Sequence, residues 1–201
     1  MASGEGLPVE KQLCFREDKL EKRLLPLLVG KVFHVTSWRS YCSIKSDGFI
    51  DTYPDGRFYY CERDKLPFGV RNGYVCLFDL RGDLTAIGQE SGMSILSWMS
   101  FLQPHRPDGH KHAYFIVDSA VFDRLIPNSA ARDEDGCFTR GKAIPYIECW
   151  YPGRLSLDSV GEVYEVTVTA SPRPQMSGSV ASLAELLMQM SWDKTWRDDG
   201  S

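Results

Sequence analysis

Two short segments of the chain carry side chains that can do chemistry in otherwise apolar surroundings. In YIECW, residues 146–150, the carboxylate of Glu148 stands inside an apolar strand-like run. An unpaired buried carboxylate is costly, so its presence needs a reason. In FHVTS, residues 33–37, His34 and Thr36 bring an imidazole and a hydroxyl to the end of a predicted strand. These two segments are the first candidates for a functional site.

Each of these residues also has a purely structural interpretation. Glu148 can face solvent from a strand with one buried side, as the alternation Ile147-Glu148-Cys149 allows. His34 can be a hydrogen-bonded histidine at a strand end. Taken one residue at a time, the sequence leaves both interpretations open.

Familiar local motifs are absent from the sequence. It contains no GxxxxGK[ST], GxGxxG, GxSxG or HExxH, which argues against phosphate-loop NTPases, standard dinucleotide folds, α/β hydrolases and zinc proteases. Six scattered cysteines form no CxxC pair, which argues against a zinc ribbon. A metal site remains an alternative through His105, His110 and His112, because two histidines two residues apart share one face of a strand. The other interpretation of these histidines is a solvated loop.

Alternating and apolar runs predict the strands that would position these residues. The predicted strands are Lys31–Thr36, Gly73–Leu80, His112–Asp118, residues 144–151 and residues 162–170. Gly73–Leu80 is apolar almost throughout, so we expect it to lie inside the sheet rather than at its edge.

Capping and periodicity predict the helices. One amphipathic helix is expected over Pro8–Leu28, interrupted near Pro26, and another between a Ser37 cap and Gly48. Shorter segments include a helix capped by Ser119 and a turn at Leu157–Val160. Further helices are predicted over Gly92–Leu102 and residues 181–190.

Length and composition place these elements in one globular body. The 201 residues are 43% hydrophobic and 25% charged, which is enough to bury a core and excludes a disordered chain. We predict an α+β domain over residues 30–170, a helical N-terminal extension over 1–29 and a helical C-terminal tail over 171–201. No apolar run approaches the 18–20 residues of a membrane span, and no signal peptide is visible, so we expect a cytoplasmic protein without a membrane partner.

The net charge of the chain limits the kinds of binding partner that we expect. The formal net charge is −4, which argues against a simple nucleic-acid binder because sequence-independent binding comes from basic surface.

Taken together and in order, three segments resemble the ADP-ribosyltransferase superfamily, and in particular its DarT-like, DNA-modifying branch. They are FHVTS, GYVCLFDLRG and YIECWYPGRLSLDSVGEVYEV, and the resemblance covers residues 31–168. It implies mixed sheets that form a split cleft for NAD, which serves as co-substrate, and no metal. The implied activity is transfer of ADP-ribose to a macromolecular acceptor, which can be DNA, RNA or protein.

The same resemblance implies roles for individual residues. Glu148 would be the catalytic carboxylate beside an oxocarbenium-like ribose. His34 would hydrogen-bond the NAD ribose or nicotinamide, while the backbone of Val35 and Thr36 hold the carboxamide. Because Tyr146 stands two residues before Glu148, the pattern of arginine-specific, protein-modifying enzymes is not supported.

The resemblance also implies a catalytic arginine and a stacking tyrosine. Arg71 is the nearest candidate for the arginine, and Arg81 is the alternate; either could pair with the pyrophosphate, and otherwise each is a solvated loop charge. The candidates for the tyrosine are Tyr59, Tyr60 and Tyr74.

A third interpretation is an inactive, transferase-like module that binds a partner. Its surfaces would be the aromatic loop Thr52–Phe68 and the helix of residues 181–190, whose apolar face carries Leu183, Leu186, Leu187 and Met190.

Overall fold

The computed structural model of the protein describes residues 8–52, 68–83, 111–131 and 147–169. The strands are β1 (Val9–Arg16), β2 (Val32–Ser37), β3 (Phe49–Ile50), β4 (Tyr74–Asp79), β5 (Lys111–Val117), β6 (Glu148–Pro152), β7 (Leu155–Ser156) and β8 (Val160–Thr169). The α-helices are α1 (Leu20–Leu28), α2 (Trp38–Asp47) and α3 (Phe68–Arg71). Short 3-10 segments cover Glu17–Lys19, Ser119–Arg124, Asn128–Ala131 and Leu157–Ser159.

Six of these strands form one sheet in the order β1-β8-β5-β2-β4-β6. β1 runs parallel to β8, and every other neighbouring pair is antiparallel. β3 and β7 form a separate antiparallel pair. The fold is therefore α+β, as the sequence predicted, and β4 lies inside the sheet with a strand on each side.

Helices cover both faces of the sheet. On the face that we call the α1 face, α1 packs on side chains that include Phe33, Phe78, Tyr114, Tyr164 and Val166. On the opposite side, the α2 face, Tyr41 and Ile44 of α2 pack with Val32, Leu77, Phe115, Cys149 and Val163. Since side chains alternate along a strand, these two sets identify the face that each strand residue takes.

The structure of the segment between β2 and β3 agrees with the prediction from its residue types. Ser37 Oγ accepts a hydrogen bond from the backbone N–H of Ser40 at 3.3 Å, and Gly48 ends α2 in the left-handed conformation with φ +78°. Both features were predicted from residue type, because a serine hydroxyl suits the N-cap position just before a helix and glycine tolerates positive φ.

The prediction of one helix over Pro8–Leu28 was wrong. Val9–Arg16 is a strand that pairs along its whole length with β8, and only Leu20–Leu28 is α-helical. Pro26 lies inside α1 and does not interrupt it. Burial of Leu24 and Leu28 in the core stabilises the last turn and outweighs the hydrogen bond that proline removes.

A smaller correction concerns the turn after β5. Asp118, not Ser119, caps it: Asp118 Oδ1 accepts from the N–H of Ala120 at 2.8 Å, and the segment is a 3-10 helix. The predicted helices over Gly92–Leu102 and 181–190 lie outside the described residues. None of the helices in the described part of the chain is long and apolar enough to cross a membrane.

Candidate functional site

The six-stranded sheet divides between β2 and β4. Their ladder has two rungs, Val32–Asp79 and Phe33–Phe78. Beyond Phe33, β2 continues to pair with β5, while β4 pairs with β6 as far as Tyr74. Among the described residues, β2 and β4 thus form no further rung from His34 onward, and the sheet separates there into two parts.

His34 lies at the point where the ladder ends. Its Nδ1 is 2.9 Å from the backbone oxygen of Cys76 on β4. A carbonyl can only accept, so Nδ1 carries the hydrogen and Nε2 is the acceptor nitrogen of the neutral ring. Burial lowers the pKa of His34, and the bond to Cys76 opposes that shift in part. The imidazole is therefore neutral near pH 7.

Glu148 is buried at the first position of β6. Only 6% of the residue is exposed, so the interpretation of Glu148 as a solvent-facing residue is wrong. Its Oε1 accepts a hydrogen bond from Nε1–H of Trp150 at 3.1 Å. The side chains at positions 148 and 150 project to the same face of the strand, which makes this bond possible.

Cys76 contacts both candidate residues. Burial raises the pKa of its thiol, and so do the charge of Glu148 and a hydrogen bond to it. The thiol is therefore protonated and donates to the carboxylate, while the backbone oxygen of the same residue accepts from His34. Sequence reasoning missed Cys76, because nothing in its local pattern points to either contact.

His34 and Glu148 lie on different faces of the sheet. Glu148 is in register with Phe78 and, through it, with Phe33, so it lies on the α1 face. His34 follows Phe33 and lies on the α2 face, where its ring is 6.3 Å from that of Phe115. The structure thus connects both residues to Cys76 of β4, but it places Glu148 on β6, beyond β4 from the gap, and on the opposite face from His34.

Val35 and Thr36, the other two candidate residues on β2, also lie on opposite faces of the sheet. Val35 packs against the core of the α1 face. Thr36 lies one residue further, opposite Ala113 on β5, and is partly exposed.

The two candidate arginines differ in their surroundings. Arg71 is the last residue of α3 and is half-buried; within the described residues its side chain makes no ion pair. Arg81 donates twice to Asp79, from Nε at 2.9 Å and from the terminal nitrogen at 2.6 Å. Its guanidinium also lies 4.0 Å from the ring centre of Phe122. Arg81 is therefore already engaged, and it lies on the α2 side.

Helix α3 sits over the end of the sheet that holds Glu148. The ring of Phe68 is 4.6 Å from that of Trp150 and 6.4 Å from that of Tyr74. Arg71 and Tyr74 consequently lie on the same side of the sheet as Glu148. Tyr59 and Tyr60, the other candidates for a stacking ring, lie outside the described residues.

Only part of the alternative histidine site and of the proposed partner-binding surfaces lies within the described residues. His112 is buried on β5, whereas His105 and His110 lie outside the described residues. Across residues 8–52, 68–83, 111–131 and 147–169, no group of three or more His, Cys, Asp and Glu side chains could hold a metal ion. The predicted helix of residues 181–190 and most of the aromatic loop also lie outside the described residues.

Comparison of the chain with protein-family models, with curated proteins and with solved structures found no match.

Proposed function

We propose that the protein is an NAD-dependent ADP-ribosyltransferase with Glu148 as its catalytic carboxylate. The observation that carries the proposal is the burial of this carboxylate on β6, in register with the last rung between β2 and β4, where two side-chain donors hold it. Carboxylates held in this way are typical of sites that stabilise developing positive charge.

In the proposed reaction, the bond between the ribose C1′ and the nicotinamide nitrogen breaks. Nicotinamide leaves with the bonding electron pair, and positive charge develops on the ribose as an oxocarbenium-like centre. Glu148 stabilises that charge electrostatically. An acceptor nucleophile then bonds to C1′ and gives up its proton to Glu148 or to water.

The separated end of β2 supports the binding of the nicotinamide half. Beyond Phe33, the described residues of β4 form no rung with β2, so backbone groups of Val35 on that side can bond the carboxamide. Thr36 contributes its hydroxyl to the same group. His34 and Glu148 lie on opposite faces, so a ribose hydroxyl must enter the gap between β2 and β4 to donate a hydrogen bond to Nε2 of the neutral His34 imidazole.

The pyrophosphate is assigned to Arg71, with Tyr74 as the stacking ring. Both lie on the side of the sheet that carries Glu148, and Arg71 makes no ion pair among the described residues. Arg81 is the weaker candidate, because it would have to release Asp79 first. The acceptor is a macromolecule, either DNA, RNA or protein, and the net charge of −4 makes the two nucleic acids less favoured than protein.

The decisive experiment follows free nicotinamide after purified protein is mixed with NAD. Glu148→Gln keeps the shape of the side chain and removes its charge, and we expect it to abolish nicotinamide release while NAD still binds in calorimetry. The matched control is Glu165→Gln, which removes a carboxylate of similar burial, 7% exposed, from the α2 face.

Three outcomes would contradict the proposal. Wild-type protein that binds no NAD excludes the transferase, and NAD binding without turnover favours the inactive binding module. Stoichiometric zinc in elemental analysis favours a metal site that includes His105, His110 and His112.

A further inference from the structure

Glu148 is fixed at both its side chain and its backbone. The carboxylate accepts from the indole of Trp150 at 3.1 Å and from the thiol of Cys76. The backbone oxygen of Glu148 accepts from Nδ2 of Asn128 at 2.7 Å. Hydrogen bonds to an ionised acceptor are stronger than those between neutral groups, so the two side-chain donors favour the charged carboxylate.

Trp150 is itself held from two directions. Its backbone exchanges two hydrogen bonds with Ile126, at 2.8 and 3.0 Å, which close the outer edge of β6. Its ring is fully buried and contacts Phe68 of α3. The indole therefore has little freedom to leave the carboxylate.

Gly69 allows α3 to approach this closely. A Cβ at position 69 would lie 2.3 Å from Cδ1 of Trp150 and 2.7 Å from Sγ of Cys76. Both of those side chains donate to Glu148. Any larger residue at position 69 must therefore shift α3 or displace at least one of the two donors.

We propose that Trp150 is a positioning residue for Glu148 and that α3, through Gly69, holds the indole in place. The catalytic role of this arrangement rests on the proposed function. A carboxylate held in one orientation before the reaction stabilises a developing charge without reorganising, which is the largest contribution in many enzymes. The orientation then depends on α3, an element outside the sheet.

The first test needs no NAD. In a ¹⁵N-tryptophan-labelled protein, Trp150→Phe identifies the indole N–H signal of Trp150 by removing it. We expect that signal to exchange slowly with solvent and to shift in Glu148→Gln, but to stay unchanged in Glu165→Gln. Gly69→Ala should also shift it, which gives a second variant if Trp150→Phe does not fold.

The second test measures turnover. Trp150→Phe keeps most of the ring and removes the N–H donor, so we expect kcat for nicotinamide release to fall about tenfold while KM for NAD changes less than about twofold. The acid limb of the kcat profile should move to higher pH, because one donor to the charged carboxylate is lost. The matched control, Trp38→Phe on α2, should leave kcat and its pH profile unchanged.

The two tests fail in distinguishable ways. An indole signal that does not respond to Glu148→Gln overturns the assignment of Trp150, whether or not the protein uses NAD. Unchanged kcat and pH profile in a folded Trp150→Phe overturn its positioning role. A normal indole response in a wild-type protein that releases no nicotinamide overturns the proposed function.

Discussion

The imidazole of His34 donates to the backbone oxygen of Cys76, 2.9 Å away, one residue after the last rung between β2 and β4. A side chain thus takes the hydrogen bond at the place where backbone pairing stops. Without it, a carbonyl oxygen of β4 would lose its partner at the boundary of the separation. His34 therefore has a structural role in addition to the proposed contact with NAD.

The burial of His34 predicts a loss of stability in mild acid. Because the pKa of His34 is lowered in the folded protein, the unfolded chain binds the additional proton. Stability should therefore rise with pH through the window below the usual histidine value of about 6.5, and it should fall as the pH drops below that value.

Urea unfolding at pH 7.5 and pH 5.5 measures this effect. We expect wild type to lose more unfolding free energy between the two pH values than His34→Asn does. The same loss in both proteins would show that folding does not lower the pKa of His34.

Because of Glu162, we expect a second loss of folding stability in stronger acid. Hydrogen bonds from Lys11, Lys31 and Tyr164 hold the pKa of Glu162 at about 2. Since this pKa is lowered, the stabilisation is complete above the unfolded value near 4.3 and is lost as the pH falls toward about 2.

The variant Glu162→Gln tests the role of this cluster. At pH 7 we expect a loss of about 1 kcal/mol, because these are partly exposed ion pairs. The difference from wild type should shrink on acidification to pH 2 and on addition of salt. A difference that stays constant with pH would attribute the loss to packing.

The sequence predicted the elements whose signals are local. Ser37 and Gly48 fix both ends of α2 by residue type, and the apolar run from Gly73 correctly indicated an interior strand. The strand β1 was missed because its partner β8 lies about 150 positions away, as in the pair Lys11–Glu162. Its charged and apolar residues also fit a helical period, and only the distant pairing decides between the two.

The sequence predicted which residue types form the candidate site, but it did not predict what surrounds them. The choice of Glu148 came from a carboxylate in an apolar run, yet its burial depends on β4, which pairs with β6, and on α3, which packs on Trp150 through Phe68. Trp150 could have been found, because period two places it on the face of Glu148. The thiol of Cys76 and the opposite faces of His34 and Glu148 follow only from the strand register.

Gly69 predicts a strong sensitivity to a single methyl group. Gly69→Ala places a Cβ 2.3 Å from the buried indole of Trp150, so α3 or the indole must move. Overpacking of this kind costs about 1–3 kcal/mol. Gly161→Ala is the control, since its Cβ would meet only Asp118 Oδ2 at 4.0 Å. Gly69→Ala should therefore melt at a clearly lower temperature than Gly161→Ala. Equal melting temperatures would mean that α3 does not pack closely against Trp150.

We expect alanine substitutions of the two candidate arginines to differ in their effect on NAD binding. Arg71→Ala should weaken NAD binding at least about tenfold in calorimetry, because it removes the cation assigned to the pyrophosphate. Arg81→Ala should leave NAD binding within about twofold, since that guanidinium is held by Asp79 on the α2 side. It should cost at most about 1 kcal/mol of stability, as expected for an exposed ion pair. The reverse result would assign the pyrophosphate to Arg81 and place it on the α2 side of the sheet.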